Sequence, residues 1–225
     1  MKDEIKEFWT NRANEHMWKG TLGKWQSPSL TKPEEDAADR RKAEVKYLKK
    51  ALALIEGSTN MNLLDVGCGT GKLTLFLSEN FKHVYATDYI EDFLNVAKES
   101  ARGLNIKNIT FKCRPANEPN DDIEFDCCSL CGILQYLTEE EYKSTLEATK
   151  NAKFFIVKES VSIGKRIELK NHYSEELESD YTAIYRTETQ IIEDFKNLGY
   201  EMLMNELIIA HRKETNIKIF LFKKK

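Results

Sequence analysis

Residues 62–72, Asn-Leu-Leu-Asp-Val-Gly-Cys-Gly-Thr-Gly-Lys, constrain the fold of this chain more than any other stretch. Leu63, Leu64 and Val66 read as a short buried strand that stops at Gly67, Gly69 and Gly71. The segment from Lys72 to Leu77 then has the apolar density of a helix packed on a sheet. Strand, glycine turn and helix together let backbone come close to a nucleotide-like ligand. A side chain at any of the three glycines is expected to fill the space that ligand needs.

The details of the turn separate cofactors. A dinucleotide fingerprint needs its third glycine where this chain has Lys72. A pyrophosphate also wants helix amides without a neighbouring carboxylate. Here Asp65 stands ahead of the first glycine, placed to accept from an ammonium group or from loop amides. Asp88 ends the next apolar run (Val84-Tyr85-Ala86-Thr87), roughly 20 residues on, where a carboxylate meets ribose hydroxyls. Carboxylates for an amine and a ribose, with no grip on phosphate, suit S-adenosylmethionine better than NAD.

Asp65 to Gly71, Asp88 and the order of elements resemble the class I S-adenosylmethionine-dependent methyltransferases. The resemblance runs from about Trp9 to the C-terminus. It implies an α/β, three-layer Rossmann-like fold with a seven-stranded, mostly parallel sheet in the order 3-2-1-4-5-7-6, the last-formed strand antiparallel. It also implies S-adenosyl-L-homocysteine as product. One domain is expected over 1–225, with residues 1–57 as a helical cap and lid and 58–225 as the core.

Length and charge fit that expectation. A chain of 225 residues can bury a sizeable core. Thirty-four Lys and Arg against 37 Asp and Glu leave a formal charge of −3, so no global basic surface points to nucleic acid. No run approaches the roughly 18 apolar residues of a membrane span. The first residues lack the apolar centre of a signal peptide. A cytoplasmic protein, monomer or dimer, is expected. The spacing of Cys128 and Cys131 invites a zinc or redox site, but no second cysteine pair follows and the four histidines are scattered. Core thiols are expected, and no metal.

Along the chain, Ile5, Phe8 and Trp9 share a helical face over about 3–14. Trp9 and Arg12 are candidates for the cofactor or substrate mouth. Residues 20–33 carry glycine and proline breaks around Trp25 and read as a lid loop. A helix over about 33–55 buries Val45, Leu48, Leu52 and Ile55 and ends at Gly57. Strands are expected over 83–87, 109–113, 125–130, 153–158, 201–210 and 217–223, and helices over 91–103, 139–150 and 188–198. The cofactor set is Trp9, Arg12, Asp65, Gly67, Cys68, Gly69, Gly71, Lys72, Asp88 and Tyr89. It continues with Ala116 and Asn117 after the third strand, where similar enzymes clamp adenine, and with Leu130 and Cys131 at the end of the fourth.

Methyl transfer from a sulfonium is chiefly a positioning task, helped by a base for the acceptor's proton. Glu159, just past the fifth strand, and Asp180 are the candidate bases, and Tyr136 is the third candidate catalytic residue. Residues from about 159 to 187 form a polar insert too long for an ordinary connection and read as the substrate region. Trp25, Tyr181, Tyr185 and Arg186 are candidate substrate contacts, Arg186 for an anionic group, although a structural salt bridge explains it equally.

Two narrower resemblances compete over the acceptor. Residues 180–200 resemble bacterial methyltransferases of small molecules and surface sugars, implying an O or N nucleophile on a small-molecule or glycan acceptor. Residues 88–98 with 156–159 resemble the protein N-terminal α-amine methyltransferases. In that family Lys72 matches an arginine at the cofactor carboxylate and Asp180 the amine-binding acid. However, the catalytic histidine falls on Tyr136 and the substrate-binding asparagine on Ser160. A peptide N-terminus is therefore the alternative acceptor. Outside catalysis, a cofactor-binding regulatory partner stays open, and a nucleic-acid module has no motif behind it.

Overall fold

Leu63, Leu64 and Val66 are fully buried, so Asn62–Val66 (β1) is the core strand its composition predicts. The structure is a computed structural model that describes residues 7–11, 33–174, 179–210 and 213–225. Expectations for Arg12, Trp25 and the lid loop fall outside these residues, as do residues 175–178 of the polar insert.

Before β1, residues 7–11 are helical and Pro33–Leu52 forms α1. After it come α2 (Lys72–Ser78), β2 (His83–Asp88), α3 (Glu91–Gly103) and β3 (Ile109–Cys113). Then follow β4 (Cys127–Cys131), a 3-10 turn at Leu134–Tyr136, α4 (Glu139–Thr149) and β5 (Phe154–Ser162). The chain closes with β6 (Ile167–Ser174), β7 (Ser179–Tyr185), α5 (Glu188–Asn197), β8 (Tyr200–Ala210) and β9 (Thr215–Lys224).

Seven strands make one sheet, ordered β3-β2-β1-β4-β5-β9-β8, with β9 antiparallel to both neighbours. Set aside the β6–β7 pair and this is the expected order. Helices cover both faces. Leu48, Leu77 and Leu94 of α1, α2 and α3 pack on one side, and Tyr142, Leu146, Ile191 and Phe195 of α4 and α5 on the other. Cys127 and Cys128 are buried in β4, and burial pushes the Cys127 thiol up to about 12. Among the described residues, no helix is long and apolar enough to cross a membrane.

Three boundaries differ from expectation. First, α1 ends at Leu52, and a turn then carries the chain to Gly57, where φ is 72°. Second, β5 continues to Ser162 because β9 pairs with it along its whole length. Glu159 therefore lies in a strand, not in the loop after one. Third, the polar insert is a hairpin: β6 and β7 pair antiparallel, with a bulge between Leu169 and His172 and Asn171 at φ 46°. The period-two alternation of Tyr181, Ala183 and Tyr185 with Asp180, Thr182 and Ile184 carries that strand. Acids and tyrosines in the segment masked it as loop.

Candidate functional site

The glycine turn is shaped mainly by the protein's own packing. A Cβ on Gly67 would collide with Cδ1 of Ile133, and one on Gly71 would lie 2.7 Å from the Ala97 Cβ of α3. Both have φ in the left-handed region, at 70° and 77°. These contacts add a packing reason to the expectation that a side chain here would fill ligand space. Gly71 lets α3 approach, and Gly67 makes room for Ile133. The turn is tied down where the Cys68 amide donates to Thr87 O at 2.9 Å. Cys68 and Leu130 are buried beside it, and Cys131 is partly exposed.

The two acids differ from what was expected of Asp65 and agree better for Asp88. Asp65 is buried and accepts from the hydroxyls of Thr74, at 2.7 Å, and Ser129, at 2.6 Å. Neither partner is a loop amide, so Asp65 pins α2 and β4 to β1. Burial raises its pKa against those hydroxyl bonds. Asp88 accepts from the Gly69 amide through Oδ2 and from the Ile90 amide through Oδ1, each at 2.9 Å. Burial pushes it up to about 6. Tyr89 follows it half-buried, its phenol raised by burial and by the Asp88 charge. Ala116 is buried and Asn117 partly exposed in the turn after β3, whose Arg114 amide donates to Asp88 O at 2.9 Å. Burial lowers the pKa of Lys72, and so does the nearby Arg41.

The other half of the crevice is built where β4 ends. β4 pairs with β5 only as far as Cys131 and Lys158. Gly132, with φ 78°, then donates to Lys158 O at 2.7 Å and turns the chain away. The amides of Ile133 and Leu134 point back at Oε1 of Glu159, at 2.7 and 2.8 Å. Oε2 of the same carboxylate is buried and has no hydrogen-bond partner. Burial pushes Glu159 up to about 7, against the pull of the two amides.

Aromatic rings stand around this carboxylate. Tyr136 lies within electrostatic reach of Glu159 and Tyr181, and burial pushes its phenol up to about 12. Trp9 meets Tyr136 edge-on at 5.0 Å and Phe93 of α3 at 6.2 Å. Phe8 packs with Tyr181, Ala183 and Tyr185, and the Tyr181 and Tyr185 hydroxyls are 3.4 Å apart.

Two expected site residues belong elsewhere. Arg186 is 2% exposed and donates to the carbonyls of Leu134 and Leu137 and to Glu139, with its guanidinium 3.8 Å from the Tyr142 ring centroid. It braces the turn that carries Tyr136 and is not open to an anionic substrate. Asp180 is exposed and lies on the hairpin face opposite Tyr181 and Tyr185, because side chains alternate along a strand. It does not join Glu159.

Several site residues were not expected. Glu44 of α1 and Lys158 of β5 form a buried ion pair at 2.8 Å, with Arg40 and Arg41 also on Glu44. Burial alone would raise Glu44, but Lys158 and the arginines bring it down to about 2. The signal was present: Glu44 sits one turn before Leu48 on the buried stripe, and Lys158 interrupts an apolar strand.

The sheet order, the glycine turn at the end of β1 and the acid at the end of β2 are those of the Rossmann-like fold of class I methyltransferases. Residues 63–152 match the methyltransferase-domain family. It is 26% identical over 162 residues to the probable cobalt-precorrin-6B C(15)-methyltransferase (decarboxylating) of Methanocaldococcus jannaschii, covering 70% of this chain and 74% of that one. The chain spans only 17–20% of the length of the next curated relatives it matches. Among solved structures, the magnesium protoporphyrin IX methyltransferase of Synechocystis with bound S-adenosylhomocysteine superposes with a TM-score of 0.70. It is 15% identical and covers 100% of this chain and 99% of that one. The Burkholderia thailandensis 1,6-didemethyltoxoflavin-N1-methyltransferase, with substrate and S-adenosylhomocysteine bound, also gives 0.70. It is 16% identical and covers 100% of this chain and 91% of that one.

Proposed function

We propose that this enzyme transfers the methyl group of S-adenosylmethionine to an O or N nucleophile of a small-molecule acceptor. The observation that carries the reading is the division of the crevice around the β1 and β4 ends. One side has an acid and amides suited to a nucleoside, and the other a buried carboxylate among aromatic rings. The cofactor fits the first side on two counts. Asp88 accepts backbone amides and can accept ribose hydroxyls as well, and the Thr70 hydroxyl in the glycine turn is buried without a partner. Gly69, Asp88, Tyr89, Ala116, Asn117 and Trp9 would hold it.

Bound there, S-adenosylmethionine supplies an electrophilic methyl on sulfur and becomes S-adenosylhomocysteine when an acceptor lone pair takes that methyl. Glu159 accepts the acceptor's proton through Oε2, because Oε1 is fixed by the Ile133 and Leu134 amides. Tyr136 and Trp9 orient the acceptor. Relatives and neighbours named for a precorrin, a protoporphyrin and a toxoflavin precursor support a small-molecule acceptor. Peptide N-terminal methylation loses support with Asp180, its amine-holding acid, on the far hairpin face. Incubation with methyl-labelled S-adenosylmethionine and a cell extract, separated into small molecules, glycans, peptides and RNA, tests the reading. Label is expected in the small-molecule fraction. Label confined to another fraction would overturn that acceptor class.

A further inference from the structure

We infer that the acceptor is a flat, conjugated ring carrying an N–H or O–H, laid against the Trp9–Tyr136 pair on the Tyr181 side of the β6–β7 hairpin and hydrogen-bonded to Glu159 Oε2. The inference deepens the methyltransferase reading above and rests on it.

Two observations carry it. The first is the set of polar atoms left over. Glu159 is 2% exposed, and its Oε2 has no partner, while Oε1 takes two amides. Gln135, in the turn that also carries Tyr136, hydrogen-bonds the Tyr136 phenol and keeps its own Oε1 buried and unpartnered. Leaving a buried acceptor unmade costs about 1–3 kcal/mol. Here two such acceptors occur near one another, so the occupant that completes them must bring donors. The buried Nε–H of Arg186, braced on the same turn, is the unpartnered donor beside them.

The second is the shape of the walls. Phe93 of α3, Trp9 and Tyr136 form a run of edge-on contacts at 6.2 and 5.0 Å. Phe8 continues it to Tyr181 and Tyr185. Ring faces and edges receive a flat π-system well. A pyranose carries a hydroxyl on nearly every carbon, each needing a polar partner on entering such a site. A peptide amine arrives as an ammonium and needs several acceptors converging on one point. One carboxylate oxygen and one amide oxygen suit a single ring edge.

The test uses the full chain loaded with S-adenosylhomocysteine, read by tryptophan fluorescence and calorimetry. The probes are the flat N–H rings lumichrome, xanthine and indole, methyl α-glucoside, and a tetrapeptide with a free N-terminus. At least one flat ring is expected to bind tenfold or more tightly than glycoside or peptide. Glu159→Gln keeps an oxygen for the two amides but can present an N–H where Oε2 stood, and should weaken that ring at least tenfold. Tyr136→Leu should do the same. S-adenosylhomocysteine should bind both variants as it binds wild type. Tighter binding of glycoside or peptide, failure of every flat ring, or unaltered ring affinity in both variants would overturn the inference. If S-adenosylhomocysteine itself does not bind, it is the methyltransferase reading that fails.

Discussion

The two halves of the crevice satisfy their carboxylates in opposite ways. On the β1–β2 side, Asp65 accepts from two hydroxyls and Asp88 from two amides, so each oxygen has a protein partner. The Glu44–Lys158 ion pair likewise closes the seat of α1 on β5. On the β5 side, Glu159 has one oxygen held and one left over, beside the unpartnered Gln135. A half whose carboxylates are already held is set before its ligand arrives, with the Thr70 hydroxyl left for that ligand to meet. A half with unpaired acceptors is completed by its ligand, and that is where specificity resides.

The sharpest way to break this contrast is Glu159→Gln. Turnover should fall by about 10²–10⁴-fold, with affinity for S-adenosylhomocysteine unchanged. Wild-type turnover should rise with pH through about 7 as Glu159 ionises, and the variant should lack that limb. Stability runs the other way. With its pKa above the unfolded value, the folded protein holds the extra proton between about 4.5 and 7, so Glu159 costs stability as pH rises through that window. Denaturant unfolding of the variant should lose the dependence. An unaltered rate profile would remove Glu159 from proton transfer.

Lys158→Met tests the closed half. Leaving Glu44 buried without its closest cation should cost about 3 kcal/mol, and replacing Glu44 by Leu as well should recover most of it. Additive losses in that double-substitution cycle would mean the pair is not coupled. The smallest expected effect is at Asp88. Asp88→Asn should weaken S-adenosylhomocysteine about tenfold. Hydroxyl donors favour the ionised acid, so wild-type affinity should rise with pH through about 6, and the variant's should not. Equal affinity at all pH values would take Asp88 off the ribose.

The cofactor half was far more legible in the sequence than the acceptor half. Asp65 to Gly71 and Asp88 are local signals: an apolar run, a glycine turn, an acid at a fixed spacing. Their positions follow from strand order, although the contacts of Gly67 with Ile133 and of Gly71 with Ala97 left no local trace. The acceptor half depends on long-range pairing. Glu159 became a strand residue because β9 extends β5, and Asp180 parted from Tyr181 because the insert is a strand with two faces. Arg186 looked like an anion binder, but its two terminal nitrogens are held by Leu134, Leu137 and Glu139. Pairing register and burial of this kind leave little local trace.

Calorimetric titration of the protein with S-adenosylhomocysteine, beside Gly69→Val, tests the central claim most directly. The turn at Gly69, with φ 55° and its amide on Asp88, predicts one-to-one binding by wild type and a loss of at least about 100-fold in a variant that still unfolds cooperatively. No binding by wild type, or equal binding by a folded Gly69→Val, would contradict it.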